Sequence, residues 1–177
     1  MSILETKRLR LRRFTLKDLP SLVELETDPD VMKFTPSRRP LPLEKIEARL
    51  KDLVAKEKDL EPFGVWAAVL KDSDSVVGWL MVLKTQHPFP ELGFMIAQRV
   101  WGQGYATEAA EALVKHCFQD LALGGLVAST DPKNLVSQQV LKKLGFQFSK
   151  TFSIQDQVLK QDVELHLYTL ENSKRQV

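Results

Sequence analysis

Between positions 99 and 104 the chain reads Arg99-Val100-Trp101-Gly102-Gln103-Gly104, an Arg-x-x-Gly-x-Gly spacing set between an apolar run, Leu92 to Ile96, and a helical pattern. The first amides of a helix lack intrahelical acceptors and lie at the positive end of its dipole, so they attract an anion. Residues without side chains let the backbone come close to a phosphate. The same spacing also serves as a plain glycine turn before a core helix, and on these residues alone both readings stand. The third glycine of a dinucleotide fingerprint is missing, and no Gly-Lys-Ser/Thr follows, so neither Rossmann nor P-loop chemistry fits. If the turn binds an anion, it belongs to some other phosphorylated ligand.

Other reactive types read as structure. Cys117 falls on an apolar stripe with Ala110, Leu113 and Leu121, as a buried, inert thiol would. His87, His116 and His166 lack metal-ligand spacing, and no metal is expected. Trp66, Trp79 and Trp101 read as packing residues, although Trp101 could wall a ligand groove. Arg8, Arg10, Arg12 and Arg13 read most simply as the solvated face of an edge strand, with a guide for an acidic substrate as the alternative.

The elements that would hold these residues follow from periodicity. Leu9 and Leu11 alternate with arginines as a first strand, and Thr15 with Asp18 marks a helix start carrying Leu19, Leu22, Val23 and Leu25. Asp28-Pro29-Asp30 breaks that helix, and Thr35-Pro36 to Pro40 reads as a loop. Ile46, Leu50, Leu53 and Val54 predict a helix over 43–60. Phe63 to Leu70 and Val76 to Leu83 predict an antiparallel hairpin across Lys71 to Ser75, and Leu92 to Ile96 a third strand. Ala106, Ala110, Leu113, Cys117 and Leu121 give the next helix one buried stripe, closed by Gly124-Gly125. A strand from Leu126 to Ser129, a helix over 135–144 closed by Gly145, and two strands over 146–154 and 163–170 complete the order. This is a mixed α/β sheet with helices on both faces.

The chain has 177 residues and 20.2 kDa, which fits a single domain over 1–177. Hydrophobic residues make up 44% and charged residues 27%, so a globular core is expected and disorder is not. The 25 basic and 23 acidic residues leave a net charge of +2, which argues against a general nucleic-acid partner. One cysteine excludes an internal disulfide framework and suits a reducing compartment. The longest apolar runs fall well short of the ~20 residues a spanning helix needs, and residues 1–8 lack the apolar stretch of a signal peptide. A cytoplasmic location without membrane attachment is expected.

Glu91-Leu92-Gly93-Phe94-Met95-Ile96, then Trp101-Gly102-Gln103-Gly104-Tyr105-Ala106-Thr107-Glu108-Ala109, then Asn134-x-x-Ser137 and Leu144-Gly145-Phe146 resemble the GNAT superfamily of acyl-CoA-dependent N-acetyltransferases. With Glu5-Thr6-x-Arg8-Leu9-x-Leu11, the chain most resembles the branch of ribosomal-protein-alanine N-acetyltransferases. The resemblance spans nearly the whole chain and implies a mostly antiparallel sheet with one splayed strand pair. It assigns a pyrophosphate-binding turn to the loop from Arg99 through Gly102, Gln103, Gly104, Tyr105 and Ala106, with Thr107 beside it. It places pantetheine along Phe94, Met95 and Ile96, with an amide aimed at the thioester oxygen. Asn134 matches a position that contacts the cofactor, and it is equally a helix N-cap.

The reaction sets the other roles. An α-amine has a pKa near ~8 and lysine near ~10.4, so the attacking amine needs help to lose a proton. Glu91 matches the position where the family places a base acting through water; it could equally be a strand-end glutamate. Asp156 matches a carboxylate of the ribosomal-protein branch or is a turn aspartate. Many GNAT enzymes protonate the leaving thiolate with a tyrosine four residues before the Gly-Phe glycine, where Leu141 stands here. In the ribosomal-protein branch the candidate is a serine at Ser137, which otherwise reads as a polar first-turn residue. The implied activity is direct acetyl transfer from acetyl-CoA, as cosubstrate, to an amine acceptor such as a protein N-terminus. The alternatives are a small-molecule amine, or a non-catalytic acyl-CoA-binding module, which the absent tyrosine favours. Relatives are monomers or homodimers.

Overall fold

The structure is a computed structural model that describes residues 4–156 and 160–172. A short strand β1 (Leu4–Glu5) turns back into β2 (Leu9–Arg12). A single 3-10 turn, Leu16–Asp18, leads into α1 (Leu19–Thr27), followed by the four-residue α2 (Pro29–Met32) and by α3 (Leu43–Ala55). The strands β3 (Gly64–Leu70), β4 (Val76–Leu83) and β5 (Glu91–Ile96) precede α4 (Tyr105–Gln119). Then come β6 (Gly125–Thr130), α5 (Leu135–Lys143), β7 (Gln147–Gln155) and β8 (Asp162–Glu171). The eight strands form one sheet in the order β1-β2-β3-β4-β5-β6-β8-β7. Every neighbouring pair is antiparallel except β5 with β6.

Each helix is held by the apolar face its sequence offers. Leu22 and Leu25 of α1, Ile46 and Leu50 of α3, and Ala109, Ala110, Leu113 and Cys117 of α4 are buried. They meet Leu9 and Leu11 of β2, Leu80 and Val82 of β4, and Leu92 of β5 in one continuous core. Each such leucine contributes about 1.5–3 kcal/mol by leaving water. Helices α1 and α3 pack on one another and α1 on β4, while α4 packs on β5, β1 and β2, and α5 on β6.

Several sequence expectations are adjusted. The helix predicted over 43–60 stops at Ala55, because no apolar residue follows Val54 on its buried face, and a separate 3-10 turn covers Lys58–Leu60. Asp28-Pro29 does end α1, but it also starts α2: the Asp28 carboxylate accepts from the Asp30 and Val31 amides, with Pro29 at the first helical position. Leu121 lies beyond the end of α4. The basic cluster is not the free face of an edge strand, since β1 pairs with β2 and each arginine has an acidic partner. These are Glu108 for Arg8, Asp74 for Arg10, Asp18 for Arg12 and Glu57 for Arg13. Residues 157–159 of the last turn, and the first three residues of the N-terminal segment, lie outside the described residues.

Candidate active site

Strand β5 pairs with β4 along its whole length, from Glu91 opposite Leu83 to Ile96 opposite Gly78. Toward β6 it makes one register pair among the described residues, Glu91 with Val127, where the Val127 amide reaches the Pro90 carbonyl at 2.9 Å. Past this point the two parallel strands separate. Main-chain groups in a ladder alternate sides from residue to residue. The Ala97 amide donates to Val77 of β4 at 2.8 Å, so Met95 also directs its main chain to β4, while Phe94 and Ile96 direct theirs into the gap. The Trp101 indole N–H donates to the Ile96 carbonyl at 2.7 Å and covers one acceptor at the end of that gap. The Phe94 N–H and C=O and the Ile96 N–H remain directed at whatever enters it.

Side chains alternate across the faces in the same way. Trp79 lies beside Met95 in the register and carries the Arg49 guanidinium of α3 over its ring at 5.7 Å. Glu91, Gly93 and Met95 therefore share the face toward α3, and Glu91 stands on it where the two strands part.

At the far end of β5 the chain makes a 3-10 turn, Gln98–Val100, and enters α4 through two glycines. Gly102 has φ +75° and Gly104 φ +81°, the left-handed region that side chains rarely adopt. A Cβ on Gly102 would meet nothing within 4 Å, so that side of the loop is open. Gly104 is the N-cap of α4 and supplies no side-chain cap. The amides of Tyr105, Ala106 and Thr107 in the first turn are thus left for an external acceptor. The loop is pinned from behind. The Arg99 guanidinium donates to Glu24 Oε1 at 2.7 Å and to the Val76 carbonyl at 3.1 Å, tying the turn to α1 and β4. What Arg99 gives the loop is anchorage.

The third wall comes from β6, α5 and the last hairpin. Asn134 caps α5, its side-chain oxygen accepting the Ser137 amide at 3.1 Å, and Ser137 lies half-buried in the first turn. Leu141 is buried in the core. Asp156 is buried and ion-paired: Arg38 reaches it at 3.3 Å through Nε and reaches Asp131, at the end of β6, at 2.9 Å through Nη1. Arg38 holds φ +50°, an unusual conformation for a non-glycine residue that both carboxylates fix in place. The structure thus brings Glu91, Phe94, Ile96 and the glycine loop onto one strand and its exit, and gives Asp156 an arginine partner.

Two sets of long-range contacts beside the site escaped sequence reasoning. One is the Arg38–Asp131 pair, whose members lie on loops far apart in sequence. The other stands behind the glycine loop, where Glu108 of α4 accepts the Thr6 hydroxyl at 2.6 Å, the Arg8 amide at 2.8 Å and Arg8 Nε at 2.6 Å. Burial pushes the Glu108 carboxyl up, but these bonds from Thr6 and Arg8 outweigh it and hold the pKa below the ordinary carboxylate value.

Beyond the one register pair described between the parallel strands, the opening lies beside a glycine turn at the start of a helix. Residues 8–147 match the family described as acetyltransferase (GNAT) domain, and the chain belongs to that family. It is 33% identical over 144 residues to the uncharacterized N-acetyltransferase YnaD of Bacillus subtilis, covering 79% of each chain. It is 30% identical over 165 residues to the FsC-acetyl coenzyme A-N(2)-transacetylase of Aspergillus fumigatus, covering 84% of this chain and 66% of that one. Among solved structures, a GNAT-family acetyltransferase from Bacillus anthracis superposes with a TM-score of 0.84 at 23% identity, over 96% of this chain and 98% of that one. RimL, a ribosomal-protein alpha-N acetyltransferase in complex with coenzyme A, shares the fold with a TM-score of 0.81 at 14% identity, over 96% and 98%. The protein is an acetyl-CoA-dependent N-acetyltransferase. No helix among the described residues is long and apolar enough to cross a membrane.

Proposed function

We propose that the enzyme acetylates the N-terminal α-amine of a protein or peptide by direct attack on acetyl-CoA within a ternary complex. The observation that carries the chemistry is the gap beyond Glu91 and Val127, which leaves the Phe94 amide facing the space where a thioester would lie. The glycine-loop amides hold the diphosphate, and the Phe94 N–H donates to the thioester oxygen as it gains charge. Glu91 takes the proton of the attacking amine through water, because Asp156, the other candidate carboxylate, is held by Arg38. The amine nitrogen bonds to the carbonyl carbon, the C–S bond breaks, and the thiolate takes a hydrogen bond from Ser137, since Leu141 offers no acid. Asn134 keeps its side-chain oxygen on the α5 cap and has its amide group left for the cofactor.

The protein acceptor is supported by the resemblance of Glu5-Thr6-x-Arg8-Leu9-x-Leu11 and the three motifs to the ribosomal-protein branch. The experiment is a coenzyme A release assay across a panel of N-terminal peptides and free amines. Turnover confined to peptides with a free α-amine supports the proposal. Turnover confined to free small amines replaces the acceptor, and binding of acetyl-CoA without release of coenzyme A across both sets overturns catalysis of this kind.

A further inference from the structure

Arg8, in the turn between β1 and β2, reaches three parts of the α4 entrance at once. Nε pairs with Glu108 at 2.6 Å, Nη1 donates to the Gln103 carbonyl at 3.0 Å, and the guanidinium carbon lies 4.1 Å from the centre of the Tyr105 ring. Each contact bears on the loop just assigned to the diphosphate. In a planar trans peptide the C=O and the following N–H point in opposite directions. By holding the Gln103 carbonyl, Arg8 therefore fixes the Gly104 N–H to point away from itself. Glu108, in the first turn of the same helix, would otherwise set a carboxylate against the positive helix end that an anion needs. Arg8 neutralises it, and a planar fork does both jobs in one rigid geometry.

We infer that Arg8 is a positioning residue for acetyl-CoA: from behind the loop it aims the Gly104 amide and cancels the Glu108 charge, without touching the ligand. The inference rests on the assignment of the glycine loop to the diphosphate. It predicts a defect in cofactor affinity and not in chemistry. In Arg8→Ala the KM for acetyl-CoA rises about tenfold, the scale of one aimed hydrogen bond to a charged group, with kcat at saturation near the wild-type value. Arg8→Lys keeps the charge, loses the fork, and raises KM several-fold without lowering the melting temperature of the ligand-free protein. Adding Glu108→Gln to Arg8→Ala recovers part of the lost affinity, because the uncompensated carboxylate is gone; a merely structural ion pair would give no such rescue.

Steady-state kinetics on these variants, with Gly104→Glu alongside, decide the matter. A wild-type KM in folded Arg8→Ala or in Arg8→Lys overturns the inference, as does a double variant no better than Arg8→Ala. Should Arg8→Ala not fold, Arg8→Lys carries the same test alone. Gly104→Glu separates the two levels: wild-type affinity in that variant overturns the loop assignment itself, whereas lost affinity there with unchanged KM in the Arg8 variants overturns the role of Arg8 only.

Discussion

Glu91 and Val127 stand opposite each other as the one register pair between β5 and β6 among the described residues, and the sheet opens immediately beyond them. That single pairing marks where the opening begins. It leaves the Phe94 amide without a strand partner while its neighbour Met95 stays bonded toward β4, so one donor is presented to the gap at little cost to the sheet.

Proline at position 94 deletes that donor without breaking a bond to β4, since the Phe94 N–H faces the gap. Phe94→Pro is expected to lower kcat by about 10²–10³-fold, the scale of one lost oxyanion donor. The stabilisation of the protein by acetyl-CoA in thermal unfolding is expected to persist, because the loop amides are intact. A kcat within tenfold of wild type in a folded variant would remove Phe94 from the oxyanion role.

The two candidate carboxylates separate by pH profile and by stability. Glu91→Gln is expected to abolish the ascending limb of kcat/KM against pH, because the group that accepts the amine proton is gone. Asp156→Asn keeps that limb and weakens the buried contact with Arg38, at about 2 kcal/mol, a fall in Tm of roughly 4–8 °C. A lost limb in Asp156→Asn with unchanged Tm would reverse the assignment.

How much of this could be read from the sequence depends on whether a feature is local. Strand alternation, the 3.6-residue periodicity of α3 and α4, and the glycines at 102, 104 and 145 are local, and they place β3 to β8, the starts of α3, α4 and α5, and the loop within a residue or two. Helix ends are less local: α3 stops at Ala55 because nothing apolar follows Val54 to hold it on the core, and that depends on the neighbouring surface as well as on composition. The splay of β5 from β6 entered only through family resemblance, since no residue in Leu92 to Ile96 signals which side of the strand will lack a partner. The arginines show the opposite limit. Their alternation with leucine marks a strand, but the partners Glu108 and Asp74 lie 100 and 64 residues away, so a cluster that reads as solvated is in fact ion-paired.

Cys117 tests the packing of α4. It is fully buried, and burial pushes its thiol up to about 12. At pH 8 almost none is thiolate, so native protein is expected to resist iodoacetamide and to be labelled once unfolded in denaturant. Rapid labelling of the native enzyme, read by intact mass, would show that α4 does not cover the thiol as described.

Glu26 offers a pH signature in the core between α1 and α3. Its side chain is fully buried, one oxygen taken by the Arg49 guanidinium, while Oε2 has no hydrogen-bond partner among the described residues. Nearby, the buried Arg49 Nε and Trp79 Nε1 make no hydrogen bond among the described residues. Burial raises the Glu26 pKa above 4.5, and the Arg49 charge and hydrogen bond oppose the rise without cancelling it. A carboxyl whose pKa is higher folded than unfolded binds its proton more tightly in the folded chain. Its contribution to stability is therefore complete at pH values below 4.5 and is lost as pH climbs through the raised folded value. Glu26→Gln has the same shape and no charge at any pH, and Arg49, partly exposed, can turn its freed end to water. The Tm of Glu26→Gln minus that of wild type is expected to become more positive between about pH 4 and pH 8, measured by thermal unfolding at matched ionic strength. A difference that is flat or falls with pH would mean that the ion pair with Arg49 stabilises the ionised carboxylate by more than burial costs it.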